Sequence, residues 1–366
     1  MGRRFLTGLF LLVPLLAVAA PKRKVIIDQD AFGPGGPNLQ PIMMVLQAPD
    51  VEVLGITVES GDGWQKENVA HTLRMLEIIG RTDIPVVPGA TYPLVNSQDA
   101  TKRWEARHGK LFYKGAWQEE WPKELLVRRP VPHGAEVVPP LVEGDPALKP
   151  AAETAADFLV RTVRKFPGEV SIVAMGPMTN LALAIRLDDG FAAGVRELVF
   201  MGGSFNPHPA DNAFALEYVY APRREFNFRW DPEAASLVLH APWRKIVQVP
   251  VDPSTKTLFT PAMIRQVAAA DTPLARYAAK WVESFPLWDE IAAAVWLEPA
   301  LATKTAVLDV DVDTGGEGAG YGNTLSWAKG QGPGLGERPV EVVFEVDVPR
   351  LEKLVVEALA RPVPGK

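Results

Sequence analysis

The residues of this chain with the clearest chemical potential are two aspartates at the end of an apolar segment. Val25-Ile26-Ile27 precedes Asp28-Gln29-Asp30, and a stretch rich in glycine and proline follows. The apolar, β-branched run predicts a buried strand, and alternate strand residues face the same way, so Asp28 and Asp30 share a side. Two neighbouring carboxylates repel unless a proton or a cation separates them. The motif therefore indicates acid–base chemistry or a site for a hard cation such as Ca²⁺.

Further polar loops lie where a ligand site is expected. In open α/β sheets, ligands bind beyond the carboxyl ends of the strands. The loops concerned are Gly61-Asp62-Gly63, Gly176-Pro177-Met178-Thr179-Asn180, Met201-Gly202-Gly203 and the late Trp288-Asp289.

Several of these residues also have an ordinary structural explanation. Asn38 suits the N-cap of the next helix, and Thr179 or Asn180 suits the start of another. Asp289 suits a third helix start, by capping and by its interaction with the helix dipole. A strand-terminal Asp-x-Asp also occurs in phosphatases of the haloacid dehalogenase type and in Asx-turns. No suitably placed nucleophile and lysine accompany the motif, which disfavours the phosphatase.

Strand-like and helix-like segments alternate along the chain. This alternation predicts an α/β fold: a single-domain open, mostly parallel sheet with helices on both faces, spanning residues 21–366. The predicted strands are 25–30, 51–59, 84–87, 170–175, 195–201, 245–249, 305–312 and 340–346, and the predicted helices are 39–47, 65–79, 151–166, 179–186, 232–239, 261–268, 273–282 and 290–297.

Residues 91–150 break this alternation and are predicted to be an insertion or lid within the domain. They carry Trp104, Tyr113, Trp117 and Trp121 among charges and prolines. The favoured interpretation is a peripheral flap whose aromatic side chains fill a small core of its own. The alternative is a lid over a ring-shaped substrate.

The first 20 residues have the layout of a secretory signal peptide. Arg3 and Arg4 precede an apolar run too short for a typical membrane span, and Ala17-Val18-Ala19 forms a small-x-small cleavage site. This predicts a secreted or periplasmic protein with no membrane attachment after cleavage.

Composition excludes several functions. The net charge of −6 falls to −8 once Arg3 and Arg4 are removed, and this acidity disfavours nucleic-acid binding. The absence of cysteine excludes disulfides, zinc ribbons and a thiol nucleophile.

Taken together and in order, the motifs resemble the inosine–uridine-preferring nucleoside hydrolases. The resemblance runs from about Lys24 to the C-terminus and is weakest over 91–150. It is carried by Asp28-Gln29-Asp30, Val51-Glu52-Val53-Leu54-Gly55-Ile56-Thr57, Ile84-Pro85-Val86-Val87-Pro88-Gly89-Ala90, Gly176-Pro177-Met178-Thr179-Asn180-Leu181-Ala182, Met201-Gly202-Gly203, Glu225-Phe226-Asn227, Asp231-Pro232-Glu233-Ala234-Ala235 and Asp289.

The resemblance implies hydrolysis of the N-glycosidic bond of ribonucleosides to base and ribose. A calcium ion would lower the pKa of a bound water while an Asp accepts its proton, and carboxylates would stabilise an oxocarbenium-like transition state. The resemblance assigns catalysis to Asp30, with Asp28 in support. It also implies a small-molecule substrate, a ribonucleoside, whose base and ribose are released for salvage. A homo-oligomer, dimer or tetramer, is what the family suggests. The implied calcium ligands are Asp30, Asn38, the Thr179 main-chain carbonyl and Asp289, and the implied substrate-binding residues are Asn38, Asp62, Glu225, Asn227 and Trp288.

Five positions depart from the family pattern. Pro37 and Asn38 stand where an Asp-Asp pair is usual, and a neutral amide at Asn38 should weaken calcium binding. Asp62 replaces a common Asn, and we hypothesise that it restores part of the missing charge. Trp288 replaces a His that is a candidate acid for the leaving base, and it offers a ring for stacking on that base. In an alignment without a gap, Val219 replaces a ribose-binding Asn, and Asn206 or Asn212 would substitute for it only if the loop is rearranged.

Two hypotheses follow from this pattern. The leading one is an exported, calcium-dependent nucleoside N-ribohydrolase. The alternative is a catalytically altered family member that binds a ribosylated or related ligand without efficient turnover. Asn38, Trp288 and Val219 favour the alternative, and the retained acids favour the enzyme.

Overall fold

The structure is a computed structural model that describes residues 21–121, 131–205 and 221–362. The predicted signal peptide and the positions of Asn206, Asn212 and Val219 lie outside the described residues. In the described part, no helix combines the length and apolarity needed to cross a membrane.

The described strands form one nine-stranded sheet with a largely parallel arrangement. The strand order is β3-β2-β1-β4-β5-β6-β9-β7-β8, parallel from β3 to β9 and antiparallel where β7 pairs with β9 and β8. The strands are β1 (Arg23–Gln29), β2 (Val51–Val58), β3 (Val86–Pro88), β4 (Val170–Ala174), β5 (Glu197–Met201), β6 (Ile246–Val249), β7 (Ala302–Val312), β8 (Thr324–Ala328) and β9 (Pro339–Val346).

Helices connect the parallel strands and begin with conventional signals. Thr154, Thr260 and Thr272 each cap a helix by accepting a backbone N–H, and proline opens the helices after the latter two. The described α-helices are α1 (Leu39–Leu46), α2 (Gln65–Ile79), α3 (Gln98–His108), α4 (Ala155–Lys165), α5 (Thr179–Leu187), α6 (Phe191–Gly194), α7 (Phe226–Trp230), α8 (Pro232–His240), α9 (Val251–Ser254), α10 (Pro261–Ala268), α11 (Pro273–Trp281), α12 (Asp289–Leu297) and α13 (Val348–Ala360).

Each face of the sheet is covered by its own apolar core. On β1, Val25 and Ile27 pack with α1, α2 and the helices α10 to α13, whereas Ile26 packs with α4, α5 and α8. This alternation follows from the two-residue repeat of a strand. It confirms the predicted α/β fold with helices on both faces.

Several elements were not predicted from the sequence, and three of them are β8, α3 and α13. β8 makes an antiparallel edge with β7, and α3 lies within the 91–150 stretch. The third element is α13, which buries Leu351, Val355 and Leu359. The carboxyl end of β1, which carries the Asp-x-Asp motif, nevertheless lies between β2 and β4 as the parallel prediction requires.

Candidate active site

The predicted acidic residues meet at the carboxyl end of β1. At this strand the order of the sheet reverses, because β2 and β3 are added on one side and β4 on the other. The next strand pairs on one side of β1, and β4 pairs on the other side. Loops leaving two such neighbours diverge and open a crevice, which is the usual ligand site of an open α/β sheet.

Asp30 is held in this crevice through both of its carboxylate oxygens. Its side chain is buried, with Oδ1 accepting a hydrogen bond from Asn38 Nδ2 at 3.0 Å and Oδ2 accepting one from the Asp62 backbone N–H at 2.7 Å. The Asn38 amide also donates to Asp62 Oδ2 at 3.2 Å. Burial, followed by the nearby charge of Asp62, raises the pKa of Asp30 well above its usual range.

Two glycines make room for Asp30. A Cβ built on Gly61 would lie 2.1 Å from Asp30 Oδ2, and one on Gly176 would lie 2.7 Å from the Asp30 backbone nitrogen. The loops after β2 and β4 therefore approach Asp30 to distances that only glycine permits.

Asp289 reaches the same crevice from the first turn of α12. Its buried Oδ2 accepts a hydrogen bond from Gln29 Nε2 at 2.8 Å. The Gln29 amide also donates to the Asn38 carbonyl at 3.0 Å and accepts the Asp30 backbone N–H at 3.0 Å. Burial, then the charge of Asp30, raises the pKa of Asp289 well above normal. One glutamine thus links three predicted site residues.

Asp28 has hydrogen-bond partners that differ from those of Asp30. Its Oδ1 accepts a hydrogen bond from the Thr57 hydroxyl and one from Asn180 Nδ2, the latter at 2.9 Å. Burial raises the pKa of Asp28 to about 6, although these hydrogen bonds oppose the rise. Asp28 and Asp30 share a strand end, but each is held by a separate set of groups.

The capping explanations fail for the side chains of Asn38 and Asp289. Asn38 occupies the N-cap position of α1, yet its side chain makes no capping hydrogen bond. Asp289 is the first helical residue of α12, and its side chain accepts a hydrogen bond from Gln29, while Glu290 accepts the N–H of the N-cap residue Trp288. Thr179 begins α5, and its hydroxyl donates to Asp231 Oδ2 at 2.7 Å.

Glu225 and Asn227 are held by backbone groups at the next strand ends. Glu225 caps α7, accepting the N–H groups of Asn227 and Phe228, and it also accepts that of Gly203 at 2.8 Å. Burial raises the pKa of Glu225 to about 7. Asn227 Nδ2 donates to the carbonyls of Met175 and Met201. Their predicted contact with ribose remains a prediction.

Aromatic residues of the 91–150 stretch pack beside the crevice. Trp117 stacks on Trp230 with ring centroids 4.0 Å apart, in a cluster with Trp64 and Phe226. The flap's aromatic side chains therefore fill a core shared with the main sheet's loops, and not one of the flap's own. Trp288 is half-buried, and the centroid of its ring lies 6.5 Å from the centroid of the Phe285 ring.

The donor chemistry fits a hard cation. Within the described ranges, no three acidic or histidine side chains form a metal-binding group. An ion near Asp30 and Asp289 would therefore need carbonyl oxygens as well, and the Asn38 amide and the Thr179 main chain are the predicted sources. Calcium accepts such mixed carboxylate and carbonyl sets. The charge repulsion that raises the pKa of Asp289 would be relieved by a cation there.

The sequence interpretation missed Gln29 and Glu59, both fully buried polar residues at strand ends. Glu59 accepts the Asn180 backbone N–H at 3.0 Å. A signal for it was available, because Glu59 ends an apolar strand in the way that Asp30 ends the first one.

Comparison with known proteins identifies a family for almost the whole chain. The family described as inosine-uridine preferring nucleoside hydrolase matches residues 25–353. A probable uridine nucleosidase 1 of Oryza sativa subsp. japonica is 29% identical over 359 residues, covering 93% of this chain and 97% of the relative. A pyrimidine-specific ribonucleoside hydrolase of Salmonella agona is 27% identical, covering 80% and 85% respectively.

Solved structures show the same fold. A plant nucleoside hydrolase superposes with a TM-score of 0.70 at 25% identity, covering 93% of this chain and 100% of the other. A purine-preferring ribonucleoside hydrolase from Gardnerella vaginalis superposes with a TM-score of 0.69 at 22% identity, covering 92% and 98%. These matches confirm the resemblance inferred from the motifs.

Proposed function

Because this chain belongs to the inosine-uridine preferring nucleoside hydrolase family, we propose that it is an exported, calcium-dependent nucleoside N-ribohydrolase with Asp30 as general base. It is a hydrolase that acts on N-glycosyl bonds, and its substrate is a small nucleoside. The relatives named above include a probable uridine nucleosidase and a pyrimidine-specific ribonucleoside hydrolase, and uridine is therefore the first substrate to test.

The observation that carries the proposal is the hydrogen-bonded group of Asp30, Asn38 and Asp62 beside Asp289. Asp30 is buried and fixed by two donors, so its orientation does not depend on solvent. Burial raises its pKa, and a base with a raised pKa takes a proton from water more readily than an ordinary Asp.

A bound calcium ion would supply positive charge that lowers the pKa of water near Asp30 and eases its deprotonation. Asp30 and Asp289, with the carbonyl oxygens of Asn38 and Thr179, are the residues that would hold it. Asp30 accepts the proton of the water that attacks the anomeric carbon. The carboxylates of the crevice stabilise the positive charge that develops on the ribose ring as the bond to the base breaks.

Asp62 is proposed to restore charge that Asn38 lacks. The two side chains are hydrogen-bonded to each other, so the Asp62 carboxylate lies within one hydrogen bond of the amide that replaces the family's acid. A carboxylate at that distance raises the negative potential at the proposed ion site.

The test is a hydrolysis panel of purine and pyrimidine ribonucleosides, with calcium and with a chelator. Asp30→Ala is compared with Asp189→Ala, which removes an exposed carboxylate on the α5–α6 connection. We expect calcium-dependent release of ribose, lost by a factor of about 10³ or more in Asp30→Ala and retained in the control. Activity that ignores the chelator would contradict the metal assignment.

The second candidate is binding of a ribosylated ligand without turnover. It is favoured by the Asn38 amide, whose donor group occupies acceptors of both Asp30 and Asp62. Saturable nucleoside binding by calorimetry, with no ribose released by any member of the panel, would select this candidate.

A further inference from the structure

Gln29 is a fully buried polar side chain in a row that is otherwise apolar. Alternate residues of β1 face alike, so Gln29 continues the row of Val25 and Ile27, which belong to the core that includes α1 and α12. None of the surface of Gln29 is exposed. Burying an amide costs free energy unless its polar atoms are hydrogen-bonded. The hydrogen bonds of Gln29 must therefore compensate for this cost.

Both polar atoms of the Gln29 amide are hydrogen-bonded, and their partners come from three segments. Oε1 accepts the Asp30 backbone N–H at 3.0 Å, whereas Nε2 donates to Asp289 Oδ2 at 2.8 Å and to the Asn38 main-chain carbonyl at 3.0 Å. The reverse orientation of the amide would place Oε1 against two oxygens, so these partners decide which end is the donor. One side chain thus joins the end of β1, the start of α1 and the first turn of α12.

The three residues that Gln29 joins are those proposed to hold a calcium ion. The hydrogen bond to Oδ2 fixes the rotation of the Asp289 carboxylate, and Oδ1 is then the oxygen that Asp289 offers to a cation. The main-chain carbonyl of Asn38 is bound to Gln29, so the side-chain amide of Asn38 supplies the oxygen for the ion. Groups that hydrogen-bond to metal ligands orient those ligands and strengthen metal binding.

We propose that Gln29 is a positioning residue of the ion site, which holds Asp289 as a ligand through one oxygen and fixes its place relative to Asp30 and Asn38. The proposal rests on the calcium site of the proposed function. A neutral amide suits this role, because it donates to a carboxylate without adding a further negative charge to the site.

The opposite role for Gln29 predicts the opposite change in calcium affinity. If the amide only occupied oxygens that the ion needs, it would compete with calcium, and its removal would strengthen binding. If it positions Asp289, its removal weakens binding. The sign of the change therefore decides between the two roles.

The test compares Gln29→Met with Gln47→Met in the full-length protein, by calorimetric titration with calcium after treatment with a chelator. Methionine is close to glutamine in length and volume but has no N–H to donate. Gln47 is a matched control, because it is also buried and donates to a carbonyl, that of Arg361, at the opposite end of α1 from Asn38. We expect the Kd for calcium to rise about 10- to 100-fold in Gln29→Met and to stay within about twofold in the control. Unchanged or tighter binding in Gln29→Met would overturn the proposal.

A spectroscopic measurement separates the loss of one ligand from a general loosening of the fold. Terbium(III) replaces calcium in oxygen-rich sites, and its luminescence lifetimes in H2O and D2O count the waters bound to the ion. We expect about one more bound water in Gln29→Met than in wild type, because water takes the place of an Asp289 oxygen that is no longer held. An equal water count in the two proteins would contradict the assigned role.

Folding and turnover are measured apart from ion binding. Gln29→Asn keeps the amide but is one methylene shorter, and it should also weaken calcium binding. If Gln29→Met did not fold, Gln29→Asn would decide the question, and wild-type affinity in that variant would overturn the proposal. If wild type bound calcium and Gln29→Met bound it weakly, but wild type released no ribose from any nucleoside, the proposed function would fail and the role of Gln29 would be supported. A wild type that bound neither calcium nor terbium would overturn this role together with the calcium assignment.

Discussion

The Asn38 side chain donates hydrogen bonds to two carboxylates, Asp30 and Asp62, from a single amide nitrogen. Its partial positive charge offsets part of the repulsion between the two acids. In the cation-free protein the amide therefore reduces the repulsion between Asp30 and Asp62, as a bound cation would. Substitutions at this position should change the stability of the cation-free protein and its ion affinity in opposite directions.

Asn38→Asp should tighten calcium binding by at least about tenfold, because it adds an anionic ligand to the proposed site. The same change replaces a donor with a third like charge, so we expect the cation-free protein to lose about 1–3 kcal/mol of stability. Calorimetric titration with calcium and thermal unfolding with chelator measure the two effects. Gln331→Glu, an exposed amide-to-acid change, is the control. A variant with unchanged calcium affinity would show that Asn38 lies outside the ion site.

Asp62→Asn tests the idea that Asp62 replaces missing charge. We expect calcium affinity to fall by about tenfold, because one negative charge beside the site is lost in a poorly solvated region. The backbone N–H that Asp62 donates to Asp30 is unaffected by this change. The same titration provides the measurement, and affinity equal to wild type would refute charge restoration.

At the level of elements, loops from neighbouring strands pack directly on Asp30. Gly61→Ala would place a methyl group against Asp30 Oδ2, where an ideal Cβ lies only 2.1 Å away. We expect turnover to fall by about 10² or more, because Asp30 must move from its place. Gly134→Ala is the matched control, since its Cβ would meet open space. Equal kcat in the two variants would mean that the 61–63 loop does not hold Asp30.

The inserted segment is tied to the same loop. The Ala116 N–H donates to the Gly61 carbonyl at 2.8 Å, and the adjacent Trp117 is almost fully buried against Trp230. Trp117→Ala should cost about 3–5 kcal/mol of unfolding free energy, as expected for a large buried aromatic. Chemical denaturation measures it, with Leu335→Ala as the control because Leu335 is 75% exposed. A loss below about 1 kcal/mol would argue that the cluster is loosely packed.

The regular elements of the central sheet were predictable because burial enforces their patterns. Buried parallel strands read as apolar runs, and Gln65–Ile79 ends at Gly80, which adopts the left-handed conformation that glycine favours. The missed α13 had a usable signal, since Leu351, Val355 and Leu359 repeat every four residues. β8 had none of comparable strength, because an edge strand that is half-exposed lacks a continuous apolar run.

The site was predictable only as far as charge and strand ends reveal it. Asp28, Asp30 and Asp289 stand out as acids beside apolar segments. The Gln29 bonds to Asn38 and Asp289 depend on loop conformations that residue types do not encode locally. The capping role of Glu225 could not be predicted either. The helix that it caps, α7, has only five residues, which is too short to show a helical repeat of apolar residues in the sequence.

At the scale of the whole molecule, several buried acids gather at one edge of the sheet. The pKa of Asp28 and of Asp231 is raised to about 6, and that of Glu225 to about 7, in each case mainly by burial. Between pH 5 and 8 the folded chain therefore holds protons that the unfolded chain has released. Stability must then fall as pH rises through this interval.

We accordingly expect the chelator-treated protein to be less stable at pH 8 than at pH 5, by roughly 1–3 kcal/mol. Half-buried acids with lowered pKa values, such as Glu77 and Asp188, titrate below this interval and do not oppose the trend. Calcium should flatten the decline, because it binds the ionised folded state. Urea denaturation at several pH values is the measurement, and greater stability at pH 8 without calcium would contradict the prediction.

The hydrogen bonds of the crevice join segments that are far apart in the chain. This separation affects when the site forms during folding. Asn180 reaches Asp28 across 152 positions, and Gln29 reaches Asp289 across 260. Contacts of such separation form late, because long loops must close first. A growing or truncated chain that ends before α12 would contain Asp28 with its partners Thr57 and Asn180 and yet lack Asp289. Competence for catalysis should therefore arise in the final folding step, after most of the sheet is in place.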